Sequence, residues 1–403
     1  MAFQLRTTIQ NHPNFFKPGL GTVKGITAKL EMKPNARPKF CKARPVPYAL
    51  QEAVEAEYNR LESEGIVERV EFSEWATPMV HVPKADGTTR SCGDYAVTVN
   101  PQLHVPQYPI PIPEDVFLKL RGGRFTKLDL KSAYQQLPLD PESQQFVTIN
   151  MHRGLYRYKR LPFGIASSPA LFQRTMDIIL QGLDHVASIQ DDILITGKDD
   201  DEHIKNLDSV LSRLDHYGLR LQLSKCKFMQ KSVTYMGCVI SASGISPTEE
   251  KVEAIKQAPS PENLTELRAF LGMINYHGKF IRNLSSILQP LDQLLQGNQE
   301  FKWSPRCEEA FKNAKDSLSS SNVLVHYDPS LPLIRESDAS QYEIGAVIFH
   351  PFPNGDERPI AYASRSLNSS EKNYSQIEKE GLPIILGVTK FYMYLRTQVH
   401  SGN

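Results

Sequence analysis

Two adjacent carboxylates, Asp191-Asp192, interrupt a run that is otherwise mostly apolar. Val186-Ala187-Ser188-Ile189-Gln190 precedes them and Ile193-Leu194-Ile195 follows. Apolar residues on both sides predict a hairpin whose strands lie within a sheet, with the carboxylates projecting from its edge. Aspartate is also a common turn former, so turn chemistry alone is a competing account of the pair. A further residue favours chemistry: Asp129 closes another apolar strand, Phe125-Thr126-Lys127-Leu128-Asp129-Leu130. Three carboxylates converging on one sheet rim would bind hard divalent cations, most naturally Mg2+. Two such ions lower the pKa of an attacking 3′-hydroxyl and stabilise a leaving pyrophosphate oxygen.

Charge points to the partner. The chain of 403 residues has a net charge of +1, yet its cations are unevenly spread. Between Lys119 and Arg174, ten Lys and Arg stand against three acids, Asp129, Asp140 and Glu142. A local balance of +7 suits a polyanion, although a solvated basic face has the same composition. Hydrophobic residues at 40% and charged residues at 23% exclude wholesale disorder. No apolar run reaches the roughly 18–20 residues of a membrane span. The start, Met1-Ala2-Phe3-Gln4-Leu5-Arg6, has no apolar signal core, which predicts an intracellular protein, cytoplasmic or nuclear, with no membrane partner. Cys41, Cys92, Cys226, Cys238 and Cys307 stand singly, without a CxxC pair, as expected of reduced thiols rather than a disulfide framework or zinc site.

Local patterns predict a mixed α+β chain without regular βαβ alternation. Tyr48 to Glu64 reads as a helix on Leu50, Val54, Tyr58 and Leu61. Strands are expected over 76–83 and 89–95 around a turn at 84–88. Five prolines between Pro101 and Pro113 demand an extended connection. Helices are expected over Ser168 to Leu183 and His203 to His216, the latter closed by Gly218. After a boundary near Ser246-Pro247, helical patterns run through Leu295. A strand pattern begins near Val323, further strands lie around Leu333 and Ala346-Val347-Ile348, and a long helix covers Tyr374 to Leu395.

Several ordered blocks resemble the reverse transcriptase region of gypsy-type LTR retrotransposon pol polyproteins. Lys127-Leu128-Asp129-Leu130-Lys131-Ser132-Ala133-Tyr134 resembles the first catalytic block, and Leu161-Pro162-Phe163-Gly164 to Phe172-Gln173-Arg174 the second. Asp191-Asp192-Ile193-Leu194 is similar to the catalytic-pair block. Gly218-Leu219-Arg220-Leu221 with Lys225-Cys226-Lys227-Phe228 is similar to the next block. Tyr235-Met236-Gly237 resembles the primer grip, and Leu267 to Tyr276 the connection region. The resemblance implies an RNA-directed DNA polymerase, a nucleotidyltransferase on a right-hand fingers–palm–thumb fold. It implies a reverse transcriptase over 20–240, thumb and connection helices over 241–322, and an RNase H-like α/β domain over 323–403. It implies RNA/DNA primer–template and dNTPs as partners, with Mg2+ or alternatively Mn2+ as cofactor. Carried over by residue, Asp129, Asp191 and Asp192 match the metal-binding catalytic aspartates. Lys225 is similar to the lysine that protonates pyrophosphate. Lys84 and Arg90 match finger residues that hold the triphosphate, which without the resemblance read as surface cations. Tyr134 matches the aromatic that disfavours a 2′-hydroxyl, and Phe163 and Gly164 match the block under the nucleotide. Met236 and Gly237 match the primer grip. Ser337-Asp338-Ala339-Ser340 and Glu380 resemble the first RNase H metal carboxylates.

The sequence also departs from that pattern. Ile189 stands where an aromatic is usual, and Gln190 replaces an apolar residue. A buried, unpaired amide there would cost about 1–3 kcal/mol. Ala96 replaces a usual cation after Asp94-Tyr95. Arg335 and Glu336 occupy a usually apolar strand, and Pro383 falls inside the helix of Glu380, at about 3 kcal/mol if the helix continues. The third RNase H carboxylate is expected beyond the last residue, so the RNase H region is expected to be truncated and without its endonuclease activity. Two rivals remain: a catalytically decayed or host-recruited nucleic-acid-binding remnant of a retroelement, and a protein-interaction module on the same fold. The basic segment opposes the second rival.

Overall fold

The computed structural model describes residues 2–17, 19–83, 89–295, 301–320 and 323–396. Two compact units divide the chain, Met1–Lys231 and Ser232–Asn403. Strands of the first are β1 (Val67–Val70), β2 (Thr77–Pro83), β3 (Thr89–Gly93), β4 (Arg124–Asp129), β5 (Thr148–Met151), β6 (Gly154–Tyr158), β7 (Val186–Ile189), β8 (Asp192–Gly197) and β9 (Lys227–Gln230). They form a five-stranded sheet in the order β1-β6-β5-β2-β3 and a four-stranded sheet in the order β7-β8-β4-β9. The second sheet is antiparallel throughout. Helices Ser168–Leu180 and Asp200–His216 pack with it, and one continuous core joins Phe172, Met176 and Ile179 to Leu128, Ile193, Ile195 and Leu207.

Local chemistry explains the main boundaries. Helix Asp200–His216 begins three residues earlier than expected, because the Asp199 carboxylate accepts from the Glu202 amide 2.9 Å away and caps it. Three acids in its first turn suit the positive end of the helix dipole. Gly197 allows that helix to approach the sheet, since a Cβ there would lie 2.5 Å from the His203 backbone nitrogen. Helix Ser168–Leu180 stops three residues short of the expected end, with Gly182 at φ +76° beyond it. The strand expected to reach Tyr95 ends at Gly93 and gives way to a 3-10 turn, Tyr95–Val97, on which Ala96 is exposed.

In the second unit, β10 (Ser232–Tyr235), β11 (Cys238–Ser241) and β12 (Gly244–Pro247) form a three-stranded antiparallel sheet. Helices Glu249–Gln257, Leu264–Tyr276, Leu284–Gln293 and Pro305–Ser319 follow around Leu267, Phe270, Leu291 and Phe311. The strand expected from Val323 is a single bridge, Leu324 to Ile245. Strands β13 (Ile334–Ala339), β14 (Glu343–Pro351) and β15 (Glu357–Ser366) make an antiparallel sheet, against which helix Gln376–Lys390 packs. That helix is shorter than the sequence pattern suggested, but it does run through Pro383. Arg335 and Glu336 fit because β13 is an outer strand; the Arg335 guanidinium donates to the Ile384 carbonyl at 2.8 Å and Glu336 faces solvent.

Candidate active site

Strand register gathers the carboxylates. Antiparallel pairing of β4 with β8 places Asp129 opposite Asp192 and Leu128 opposite Ile193. Pairing of β7 with β8 places Ile189 opposite Asp192, which leaves Gln190 and Asp191 as a two-residue turn. Gln190 takes φ +57°, a left-handed conformation uncommon for a side-chain-bearing residue. The Asp191 carbonyl accepts from the Leu130 amide at 3.4 Å, which ties the turn to the end of β4. Asp191 is exposed; Asp129 and Asp192 are half-buried.

Two lysines face these acids. Lys127 stands two residues before Asp129 and therefore on the same face of β4. Its Nζ lies 2.7 Å from Asp192 Oδ2. Lys225 Nζ lies 3.9 Å from Asp129 Oδ1, on a largely exposed side chain. Burial pushes the Asp129 carboxyl above the ordinary aspartate value. Lys225 opposes that rise, the negative charges of Asp191 and Asp192 add to it, and Lys127 opposes it again. Among the described residues no three His, Cys, Asp or Glu side chains are drawn together as closely as ligands around an ion. The donors are hard carboxylate oxygens of the kind Mg2+ takes, and a divalent cation would offset both the burial that lifts Asp129 and the repulsion from Asp191 and Asp192 that adds to it.

Beside the turn lies an aromatic floor. Tyr134 sits in the 3-10 turn Ala133–Gln136 that follows β4. Its ring centroid is 5.2 Å from Phe163 and 5.3 Å from Phe172. Gly164, at φ +93°, lets the Phe163 loop pass the strand end, since a Cβ would lie 2.9 Å from the Gly93 carbonyl. The Tyr134 hydroxyl donates to Gln190 Oε1 at 2.6 Å. Burial raises that phenol's pKa, with the negative charge of Asp191 adding to the rise.

The amide of Gln190 is thus paired, so the cost that a buried, unpaired amide would carry does not arise. Its backbone N–H also donates to Gln173 Oε1 at 2.9 Å. Ile189 is buried in the strand. Sequence reasoning missed two contributors, Lys127 and Gln173. Each had a signal: Lys127 shares the strand face of Asp129, and Gln173 lies on the buried face of a helix between Phe172 and Met176.

Arg90 stands on β3 opposite Val82, and Lys84 lies outside the described residues. Met236 (φ +48°) and Gly237 (φ +66°) form the tight turn between β10 and β11. The Tyr276 hydroxyl holds that turn by donating to the Met236 carbonyl at 2.7 Å. Asp338 is exposed on β13, and Glu380 is exposed on helix Gln376–Lys390, accepting from Gln376 at 3.2 Å.

Residues 95–240 match the family described as reverse transcriptase (RNA-dependent DNA polymerase). Residues 303–400 match the RNase H-like domain found in reverse transcriptase. The Tf2-3 and Tf2-7 transposon polyproteins of Schizosaccharomyces pombe are each 33% identical over 380 residues, covering 94% of this chain. The chain spans 28% of the length of those polyproteins. A foamy viral protease-reverse transcriptase in complex with double-stranded DNA superposes with a TM-score of 0.88 at 23% identity, over 97% of this chain and 69% of that one. The same viral protein with an RNA/DNA hybrid gives 0.82 at 23% identity, over 98% of this chain and 54% of that one. The fold is therefore that of a right-hand polymerase followed by an RNase H-like domain. Among the described residues, no helix is long and apolar enough to cross a membrane.

Proposed function

We propose that this chain, which belongs to the reverse transcriptases of retrotransposon polyproteins, extends a primer 3′-end with dNTPs on an RNA or DNA template. The observation that carries the reading is the strand register: Asp129 and Asp192 are cross-strand neighbours, and Asp191 occupies the β7–β8 turn immediately before Asp192. Divalent ions, Mg2+ or Mn2+, held by Asp129, Asp191 and Asp192 would supply Lewis-acid activation of the 3′-hydroxyl and charge stabilisation on the phosphates. Lys225, 3.9 Å from Asp129, would deliver a proton to departing pyrophosphate. Lys84 and Arg90 would neutralise the triphosphate. Tyr134, on its aromatic floor with Phe163 and Gly164, forms the wall met by a 2′-hydroxyl. Met236 and Gly237 would seat the primer strand. We assign the polymerase to 20–240, the thumb and connection to 241–322 and the RNase H-like region to 323–403, with an intracellular site of action, cytoplasmic or nuclear.

For the RNase H-like region we propose no hybrid cleavage by these 403 residues. Asp338 and Glu380 are two exposed carboxylates, short of the ligands a two-metal centre needs.

One experiment tests both statements. The purified chain is given an RNA template, a DNA primer, dNTPs and Mg2+. Extension that disappears in Asp191→Ala/Asp192→Ala, with the RNA strand left intact, is the expected result. Primer–template binding without extension would instead identify the nucleic-acid-binding remnant. RNA cleavage that Asp338→Ala abolishes would overturn the statement on the RNase H-like region.

A further inference from the structure

The residue before the aspartate pair is bonded to the wall of the nucleotide site. Gln190 Oε1 accepts the Tyr134 hydroxyl proton at 2.6 Å. The Gln190 backbone is itself fixed: its N–H donates to Gln173 Oε1 at 2.9 Å, and Gln173 is fully buried. Gln173 in turn donates from Nε2 to the Ser188 carbonyl at 2.9 Å. The Tyr134 ring therefore has two restraints. Phe163 and Phe172 hold its faces and edge, and Gln190 holds its hydroxyl. The second restraint is part of the same two-residue turn that carries Asp191.

We propose that Gln190 is a positioning residue for sugar selection. It tethers the Tyr134 hydroxyl, so that the wall facing the sugar is held in register with the catalytic turn. The proposal rests on the polymerase reading above. A ring anchored only by aromatic contacts can recede by the few tenths of an ångström that a 2′-hydroxyl needs. A ring anchored at its hydroxyl as well cannot do so without breaking a hydrogen bond. The glutamine at an otherwise apolar position thereby acquires a reason that its own strand does not supply. An apolar residue there leaves the tyrosine hydroxyl with no partner on the hairpin.

The test compares wild type with Gln190→Met, Tyr134→Phe and the double variant. Each single change removes the tether and keeps the bulk of the side chain. The readout is the ratio of dNTP to rNTP incorporation, together with the Kd ratio for the two nucleotides in a complex whose primer is chain-terminated. Losing one restraining hydrogen bond lowers selectivity about fivefold in each single variant. The double variant is expected to match the singles, because both remove the same bond. Wild-type extension with selectivity unchanged in Gln190→Met overturns the tether alone. Additive losses in the double variant overturn it too, since Gln190 would then act independently of Tyr134. Absence of both extension and nucleotide binding in wild type overturns the polymerase reading and the tether with it. A folded-state check by amide exchange over β7 and β8 separates these outcomes from unfolding, and Tyr134→Phe supplies the result should Gln190→Met fail to fold.

Discussion

Gln173→Met should destabilise the sheet that carries the aspartates by about 2–4 kcal/mol, worked out bond by bond. Gln173 is fully buried and makes three side-chain hydrogen bonds. Strand β7 is the outer strand of its sheet, so the Ser188 carbonyl has Gln173 Nε2 as its partner at 2.9 Å. The Gln190 amide has Gln173 Oε1, also at 2.9 Å. Methionine keeps the length and apolar contacts of glutamine but can do neither task. Orphaning the buried carbonyl costs about 1–3 kcal/mol, and losing the half-buried amide's bond about 1 kcal/mol. The third bond, to exposed Asp177 Oδ1 at 3.0 Å, is replaced by water and contributes little. Native-state hydrogen exchange is the direct assay. Amides of β7 and of the Gln190 turn should exchange faster by the factor those energies imply, while Asp177→Ala, which removes that third bond and the one from the Tyr108 hydroxyl but spares both of Gln173's bonds to the hairpin, leaves them within about threefold. Primer extension should fall with the loosened turn. Unchanged exchange at Gln190 in Gln173→Met would refute the reasoning, because the turn would then be held without its helix partner.

Acid should weaken the same sheet through His203. Its buried ring, bonded to Thr126 Oγ1 at 2.7 Å, is pushed down to about 4 by burial. The unfolded chain binds this proton below roughly 6.5 and the folded chain only below about 4, so stability is full above the first value and falls as pH drops through the window. The fall amounts to about 3 kcal/mol at its limit, and urea titrations at pH 7 and pH 4.5 should show that His203→Gln loses this component. Lys127→Met should release Asp192 from its 2.7 Å ion pair and lower the Mg2+ concentration for half-maximal metal binding by roughly fivefold, the equivalent of about 1 kcal/mol for a half-buried pair. Titration calorimetry showing weaker Mg2+ binding in that variant would mean that Lys127 assists the metal rather than competing with it.

Much of the polymerase was readable along the chain because its signals are local. Apolar runs around Asp191-Asp192 and before Asp129 specify strands, and the hairpin formed where the sequence placed it. Element ends were less legible. Helix Asp200–His216 starts at a cap one residue before its first acids, and the expected strand at Val323 reduces to one bridge with Ile245. The first end rests on a local cap three residues apart, the second on a partner far away in sequence.

Gln190 marks the limit most clearly. By residue type alone it is a polar intruder in an apolar strand, and counting it as a defect is the correct local reading. Its acceptor role depends on Tyr134, 56 residues earlier, and its backbone partner on Gln173, in a helix that packs over the strand. Lys127 belongs to the same class: its strand face follows from a period of two, but its pairing with Asp192 follows from the β4–β8 register. The sequence by itself determined which elements form and which acids end them, because backbone propensity and apolar periodicity act over a few residues. Only the tertiary structure decided which polar groups meet between those elements, because hydrogen bonds and ion pairs form within about 3 Å and register alone sets such distances.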